Sequence, residues 1–304
     1  MILILGTTAS GKGSLAFDLA RRIDAEIISI DSMKVYRRMD IGTAKPSLER
    51  RTLLPYHLID VVDPSDSFSV DQFLDHTHRA VADITSRGKS VVAVGGTAMY
   101  IKALLYGIFE GPGADPEIRK QLKKDIHLHG SAPLHNRLTA IDPAAAARIH
   151  PNDHRRLIRA LEVHELTGKP ISSFQNQFTA DRPSDDWTII GLRRPKPIES
   201  SRINARVKKM ISDGLVDEVQ SLLAEDRPLS KQAAAAIGYA EIIYHLQNDT
   251  PLDDAIEQIK INTRKLAKAQ RTWFKTFTGV SWIDISPDDT PQSILDRTLR
   301  IVSP

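Results

Sequence analysis

The chain has 304 residues, with 41 Lys and Arg against 38 Asp and Glu, ten His and no Cys. That length suits about two domains. Without cysteine there is no disulfide framework, Cys-ligated zinc, iron–sulfur cluster or thiol nucleophile. Hydrophobic residues at 41% and charged residues at 26% describe an ordinary folded chain, and a net charge of +3 is too small to establish a polyanionic partner by itself.

The opening Met1-Ile2-Leu3-Ile4-Leu5 has no charged flank and runs straight into Gly6, so it is too short for a signal peptide. No stretch approaches the roughly 18 apolar residues of a membrane span. A soluble, most simply cytoplasmic, protein with no membrane association is expected. Residues 2–5, 26–30, 57–61 and 91–94 are β-branched runs that predict strands, and residues 12–23 and 69–87 carry apolar residues at helical spacing. That alternation predicts an α/β fold with a parallel sheet.

After Gly111-Pro112-Gly113 the strand pattern stops. Residues 114 to about 179 read as purely helical, with breaks at Gly130, Pro143, Pro151 and Gly168-Lys169-Pro170. The expectation is a P-loop NTPase-like core of residues 1–113 and 183–304, a parallel sheet flanked by helices, with an all-helical domain inserted at 114–182. The insert holds eleven Lys and Arg against eight Asp and Glu, and six of the ten His. A strand returns at 187–192, followed by helices from about 197 to the end.

Gly6-Thr7-Thr8-Ala9-Ser10-Gly11-Lys12 follows the first strand and opens the first helix, which is the setting of a phosphate-binding loop. Its glycines let backbone N–H groups turn toward phosphate oxygens, and the helix N-terminus and Lys12 add positive potential. The hydroxyl usual after the lysine is missing: Gly13 stands there and Ser14 follows. Adenylate kinases have a similar Gly-Lys-Gly-Thr order, so a phosphotransferase of the nucleotide-kinase type, which would bind ATP, is one reading of this loop.

Asp31 ends the second strand run and Thr97 the fourth. Ligands of open parallel sheets bind beyond the carboxyl ends of the strands, so Lys12, Asp31 and Thr97 are expected to converge. Asp31 reads as a catalytic carboxylate, a Mg²⁺ ligand or a loop cap, and Thr97 as a site residue or a helix N-cap. Asp60 and Asp63 also follow an apolar run and compete for the metal.

Several blocks together resemble the tRNA dimethylallyltransferases, also called tRNA isopentenyltransferases. They are GTTASGK at 6–12, DSMKVY at 31–36, MDIGTAKP at 39–46, YHLID at 56–60, GGTAMYIKALL at 95–105 and ADPEIR at 114–119. Asn152-Asp153 with residues 155–162, Arg202-Ile203-Asn204, Ala236-Ile237-Gly238-Tyr239 and residues 263–274 continue the match nearly end to end.

The resemblance implies transfer of a dimethylallyl group from dimethylallyl diphosphate to the exocyclic N6 of the adenosine 3′ of the tRNA anticodon, by a cytoplasmic, monomeric enzyme using Mg²⁺. It implies Asp31 as the base, Thr97 beside the reacting adenine, and Lys12 on the diphosphate. Thr8, Ala9, Ser10, Gly11, Gly13, Ser14 and Arg202 would also bind diphosphate, with Ser14 toward Mg²⁺. The implied contacts with the anticodon stem-loop are Asp31, Ser32, Met33, Lys34, Thr97, Arg119, Arg155, Arg156, Arg159, Gly238, Tyr239, Lys268, Arg271 and Lys275. The chain departs from the family pattern at Thr7 (commonly Pro), Gly13 (usually Thr), Lys34 (usually Gln or Leu) and Ala269 (Arg of a Lys-Arg-Gln string).

A tail helix over residues 250–277 has no acid from Gln258 onward, and Lys260, Arg264, Lys268, Arg271 and Lys275 share one side of it. Phosphate contacts would suit that face; a plain solvated face is the competing reading, and the same choice applies to Arg155, Arg156 and Arg159. His76/His78 and His127/His129 are spaced two apart, which puts them on different sides of a helix and argues against a metal site. Trp187, Trp273 and Trp282 read as core residues.

Overall fold

The computed structural model describes residues 1–107, 111–174 and 186–302. It opens with β1 (Ile2–Gly6), α1 (Lys12–Arg22), β2 (Ala25–Ile30), α2 (Leu48–Leu53), β3 (Tyr56–His57), α3 (Val70–Ser86), β4 (Ser90–Gly95) and α4 (Ala98–Tyr106). Next come α5 (Pro116–His129), α6 (Ala132–Ile141), α7 (Pro143–Ala146), α8 (His154–Thr167) and a short 3-10 turn, Ile171–Ser173. The chain then forms β5 (Thr188–Arg193), α9 (Lys196–Ser212), α10 (Leu215–Leu223), α11 (Lys231–Ala234), α12 (Tyr239–Asn248), α13 (Leu252–Phe274), β6 (Val280–Asp284) and α14 (Pro291–Val302).

The chain divides into two compact units, one of Met1–Leu105 with Arg182–Pro304 and one of Tyr106–Asp181. The first is an α/β unit of P-loop NTPase-like architecture. Its six described strands run in the order β3-β2-β4-β1-β5-β6, and every pairing is parallel. Strands covered on both faces need apolar side chains throughout, and β1 and β2 are buried along their whole length. Leu15, Ala16, Leu19 and Ala20 of α1 close one face over Ile4, Ile27, Val92 and Ile190. A capping box at Ser69 and Gln72 starts α3, and Phe73, Thr77, Ala80 and Ile84 form its buried stripe.

The second unit is helical. Leu122, Leu134, Leu138, Leu157, Leu161 and Ile171 belong to its separate core. Asp115 caps α5 with Pro116 at the first helical position. A buried Glu162 on α8 accepts from Arg119 at 2.8 and 2.9 Å, from Arg159 at 2.8 Å and from the Asp115 N–H at 2.7 Å.

Three expectations about elements need correction. The run at 57–61 is a strand only at Tyr56–His57, because Leu58 and Asp60 take positive φ of 61° and 58° and turn the chain out of the sheet. The helical reading of the C-terminal part misses β6, which pairs with β5 beyond a turn at Gly279; five residues, three of them half-buried, carry little periodicity. The tail helix is shorter at both ends, Leu252–Phe274. Residues 175–179 of the helical reading lie outside the described residues.

One charge sits deep in the sheet. Glu26 of β2 is 2% exposed and is held by both guanidinium nitrogens of Arg87 and by His57 Nε2 at 2.7 Å. The Arg87 hydrogen bonds, against the opposing effect of burial, pull its pKa from 4.5 down to about 2. A depressed carboxylate stabilises the fold above its unfolded pKa, and that contribution, about 3 kcal/mol for a shift of this size, disappears as pH falls from about 4.5 to about 2. Urea midpoints of the wild-type chain are therefore expected to drop across that window, and those of Glu26→Gln to drop less; parallel curves would refute the assignment.

Candidate active site

Strand register sets the site. Leu5 and Ile30 both pair with Gly95, so the loops after β1, β2 and β4 leave the sheet at one rim. A Cβ on Gly95 would lie 2.0 Å from the Ile30 carbonyl oxygen, so the approach of β4 to β2 there requires glycine. Beyond it, the Ser32 N–H donates to Thr97 Oγ1 at 3.1 Å, tying the two loops together.

The β1–α1 loop is braced from outside. Lys12 Nζ donates to Thr7 O at 3.0 Å, Arg202 Nε to Ala9 O at 2.8 Å and Arg194 Nε to Ser10 O at 2.8 Å. Arg206 Nη1 donates to Thr8 Oγ1 at 3.1 Å. Thr7 Oγ1 donates to Glu199 Oε2 at 2.6 Å, and Glu199 also receives Arg271. Gln270 of α13 accepts the Thr8 N–H at 2.8 Å and donates to Gly96 O at 2.9 Å, bridging the loop to the end of β4. Ser10 Oγ is buried and lacks a partner among the described residues. Burial, then Lys34 and Arg206, pull the Lys12 pKa from 10.5 down to about 7, with Asp31 and Glu199 acting the other way. Burial also lowers Lys34, opposed by Asp31.

These loops enclose a cavity of about 850 Å³ lined by Lys12, Ser14, Asp31, Thr97, Arg202 and Arg206, among others. Asp31 Oδ1 accepts the Met33 and Lys34 N–H groups at 2.9 and 3.3 Å, and Oδ2 has no hydrogen bond among the described residues. Residues 42–47 form another part of the wall. Glu218 of α10 anchors their loop: Asp40, Ile41 and Gly42 donate backbone N–H groups to its carboxylate at 2.9, 2.8 and 3.2 Å. Tyr239 Oη donates to the same carboxylate at 2.5 Å. A Cβ on Gly42 would lie 2.4 Å from the Tyr239 ring. Lys45, its ammonium buried, spans Tyr36 O, Asp40 and Asp60 at 2.6 Å each. A cation-rich loop, a carboxylate and a hydroxyl thus face one cavity able to hold a polyanion beside an acidic proton.

Residues 34 to 277 match the family described as IPP transferase. The chain belongs to the IPP transferase family. It is 47% identical over 285 residues to the tRNA dimethylallyltransferase of Geobacter metallireducens, covering 93% of this chain and 92% of that one. It is 42% identical over 302 residues to that of Rhodopirellula baltica, covering 97% and 90%. A crystal structure of a tRNA isopentenylpyrophosphate transferase from Bacillus halodurans superposes with a TM-score of 0.70 at 39% identity, over 99% of this chain and 95% of that one. A eukaryotic dimethylallyltransferase acting on tRNA superposes with a TM-score of 0.83 at 28% identity, over 98% and 77%.

Within this IPP transferase, the structure gathers Lys12, Asp31 and Thr97 at one rim, with Thr8, Ala9, Gly11, Gly13, Ser14, Ser32, Met33, Lys34 and Arg202 also lining the cavity. Ser10 lies buried within the loop. Arg155 and Arg156 are exposed on α8, and Lys268 and Lys275 on and just after α13. Other residues named from the sequence are differently placed. Arg119 and Arg159 are bound to Glu162, and Arg271 to Glu199. Gly238 is buried and Tyr239 is fully buried, so neither is presented to an external ligand; Tyr239 supports the Glu218 anchor, and the Gly238 N–H donates to Glu241 at the start of α12. The supposed basic face is partly internal, with Lys260 buried against Glu257 and Arg264 on Asn204. Asp60 is taken by Lys45 and Arg51, and Asp63 by Arg37 and Arg38. Trp187 is core, whereas Trp273 lines the cavity.

The sequence reading missed Arg194, Glu199, Arg206, Glu218 and Gln270. Arg206 carried a signal, one helical turn after Arg202, and Gln270 stood in the family-like block at 263–274; the others are ordinary polar residues until the fold brings them to the loop.

Two outcomes follow from this geometry. An anion in the cluster favours charged Lys12, so sulfate, which does not titrate near neutrality, is expected to bind more tightly as pH falls from about 8.5 to about 6, with proton uptake measurable by calorimetry. Affinity flat over that range would mean that Lys12 is already charged. Glu218→Ala leaves three N–H groups and a phenol without an acceptor, so a loss of about 2–3 kcal/mol is expected in urea unfolding, with faster amide exchange confined to residues 40–43; unchanged exchange there would remove Glu218 as the anchor.

Proposed function

We propose that this chain transfers a dimethylallyl group from dimethylallyl diphosphate to the exocyclic N6 of the adenosine 3′ of a tRNA anticodon, releasing diphosphate. The observation that carries the reading is the shared cavity: an anion-gripping loop and a carboxylate stand at one rim of a chain that belongs to the IPP transferases. Relatives are named for this reaction, and family membership does not favour the nucleotide-kinase alternative.

In this reaction N6 attacks the allylic carbon, the carbon–oxygen bond breaks, and its electron pair leaves on the diphosphate. Charge develops on the leaving oxygens, where fixed donors act most strongly. The loop amides, Lys12, Arg202 and Arg206 supply those donors. The adenine amine is a weak nucleophile because its lone pair is delocalised into the ring, so a carboxylate accepting its proton contributes roughly 10²–10⁴-fold. That role falls to Asp31 through Oδ2, with Oδ1 fixed by two backbone amides. Thr97 would sit beside the reacting base.

Divalent cations at diphosphates keep several waters and need only one or two protein oxygens. Ser14, facing the cavity, fits such an ion, and Mg²⁺ bound there would neutralise charge on the leaving group. A stacked base cannot reach a cavity at this rim, so the target nucleotide must be extruded at a cost of a few kcal/mol, offset by phosphate contacts elsewhere. Arg155 and Arg156 of the helical unit and Lys268 and Lys275 suit those contacts. A cytoplasmic monomer fits the reading.

The test is incubation with unmodified tRNA, labelled dimethylallyl diphosphate and Mg²⁺ but no ATP. Label in RNA supports prenyl transfer; label absent from RNA, with phosphoryl transfer from ATP instead, would return the loop to the kinases. Asp31→Asn is expected to lower turnover by about 10²-fold or more with tRNA affinity within a few-fold of wild type, and normal turnover would end its assignment as the base.

A further inference from the structure

Among the described residues, one ammonium in the cavity wall has no acceptor. Lys34 closes the turn in which Asp31 Oδ1 accepts the Met33 and Lys34 N–H groups, and its carbonyl accepts the Asp60 N–H at 3.2 Å. The next residue, Val35, is fully buried, and its carbonyl accepts the Val61 and Val62 N–H groups at 2.7 and 3.0 Å. The backbone at residue 34 is therefore fixed on both sides. Lys34 is half-buried and lines the cavity, and its Nζ makes no hydrogen bond or close ion pair among the described residues. An ammonium withdrawn from water without an acceptor is costly unless a ligand supplies one.

The charged neighbours select that ligand. Burial, and then Lys34 ahead of any other charge, lowers Lys12. Burial also lowers Lys34 itself, opposed by Asp31, with Arg206 and Lys45 adding to the effect. Lys45 is already satisfied by Asp40 and Asp60. Lys12, Lys34, Arg202 and Arg206 thus share one cavity whose lining holds a single acid, Asp31. That excess of positive charge matches an ionised diphosphate monoester, whose charges crowd on two linked phosphorus atoms. An RNA strand carries one charge per phosphodiester and meets cations strung along a groove; cations gathered around one loop suit charge gathered on one group.

We infer that Lys34 is a further ligand of the donor's diphosphate, its ammonium holding the leaving group together with Lys12, Arg202 and Arg206. This rests on the proposed transfer from dimethylallyl diphosphate and moves Lys34 from the RNA, where the family resemblance puts it, to the donor. When N6 attacks, the carbon–oxygen bond breaks and its electron pair stays on the diphosphate. The ammonium gives up no proton in this step; its hydrogen bond strengthens as charge reaches the leaving oxygens. Lys34 is therefore felt in turnover as well as in donor binding. It is one of this chain's departures from the family pattern, and it adds a fixed charge beside a loop that lacks the hydroxyl usual after Lys12.

The probe is inorganic diphosphate, titrated calorimetrically in EDTA so that no metal shares the charge. Lys34→Met, which keeps an unbranched stem and removes the ammonium, is expected to bind it about tenfold more weakly than the wild-type chain. Affinity for an unmodified anticodon stem-loop hairpin is expected to stay within a few-fold. Lys34→Arg is expected to keep most of the diphosphate affinity. In the prenylation assay, Lys34→Met is expected to raise the KM for dimethylallyl diphosphate and lower kcat, with the KM for the hairpin unchanged. Removing one of several like charges is not expected to lower the thermal midpoint, and Lys34→Gln, the residue common in the family, stands in if the methionine variant does not fold. Diphosphate affinity unchanged in the variant overturns the assignment. A loss confined to the hairpin, or equal for both ligands, also overturns it and returns Lys34 to the RNA. A wild-type chain that binds diphosphate yet never prenylates the hairpin ends the functional reading and this inference with it; a prenylating wild type whose Lys34 variants bind diphosphate normally ends the inference alone.

Discussion

Crowded positive charge around one short loop is the constraint on which this molecule depends. Lys12, Arg194, Arg202 and Arg206 all donate to atoms of residues 7–10. Like charges held this close repel, and burial lowers the lysine enough to bring its titration near neutrality. The protein tolerates this by giving each cation an oxygen of the loop itself. The same bonds fix those loop oxygens in place, so the cations are held together by the loop itself, and a bound anion would relieve their repulsion.

Two acids and an amide support this arrangement. Glu199 holds Thr7 and Arg271, and Gln270 links the loop to the end of β4. Glu218 does comparable work for the opposite wall by collecting three consecutive amides and a buried phenol. All three come from helices α9, α13 and α10, after the helical unit in the chain. The C-terminal helices therefore brace a cavity whose loops after β1, β2 and β4 come from the first hundred residues.

The departures from the family pattern read differently in this light. Thr7, where proline is common, places its hydroxyl on Glu199. Gly13 has open space around its Cβ position, so the helix start tolerates the lost hydroxyl while Ser14 still faces the cavity. Lys34 adds a lysine to the cavity wall, which contributes to holding Lys12 down. Ala269 is exposed on α13.

Local pattern carried much of this protein. The buried runs of β1, β2, β4 and β5 declare a parallel sheet because strands covered on both faces must be apolar throughout, and the glycine-lysine string predicts the turn between β1 and α1 that lines the cavity. The convergence of Asp31 and Thr97 on one cavity was also legible, since parallel strands deliver their carboxyl ends to one rim. What the chain alone did not reveal was the use of each charge. Arg119, Arg155 and Arg159 look alike in a basic run, yet two are bound to a buried Glu162 and one is exposed. Tyr239 and Trp273 are both aromatics in family-like blocks, yet one is buried under Gly42 and the other lines the cavity. The division has one cause: hydrophobic periodicity is a property of neighbours along the chain, whereas the partner of a charged or aromatic side chain is set by residues brought near only when distant segments pack.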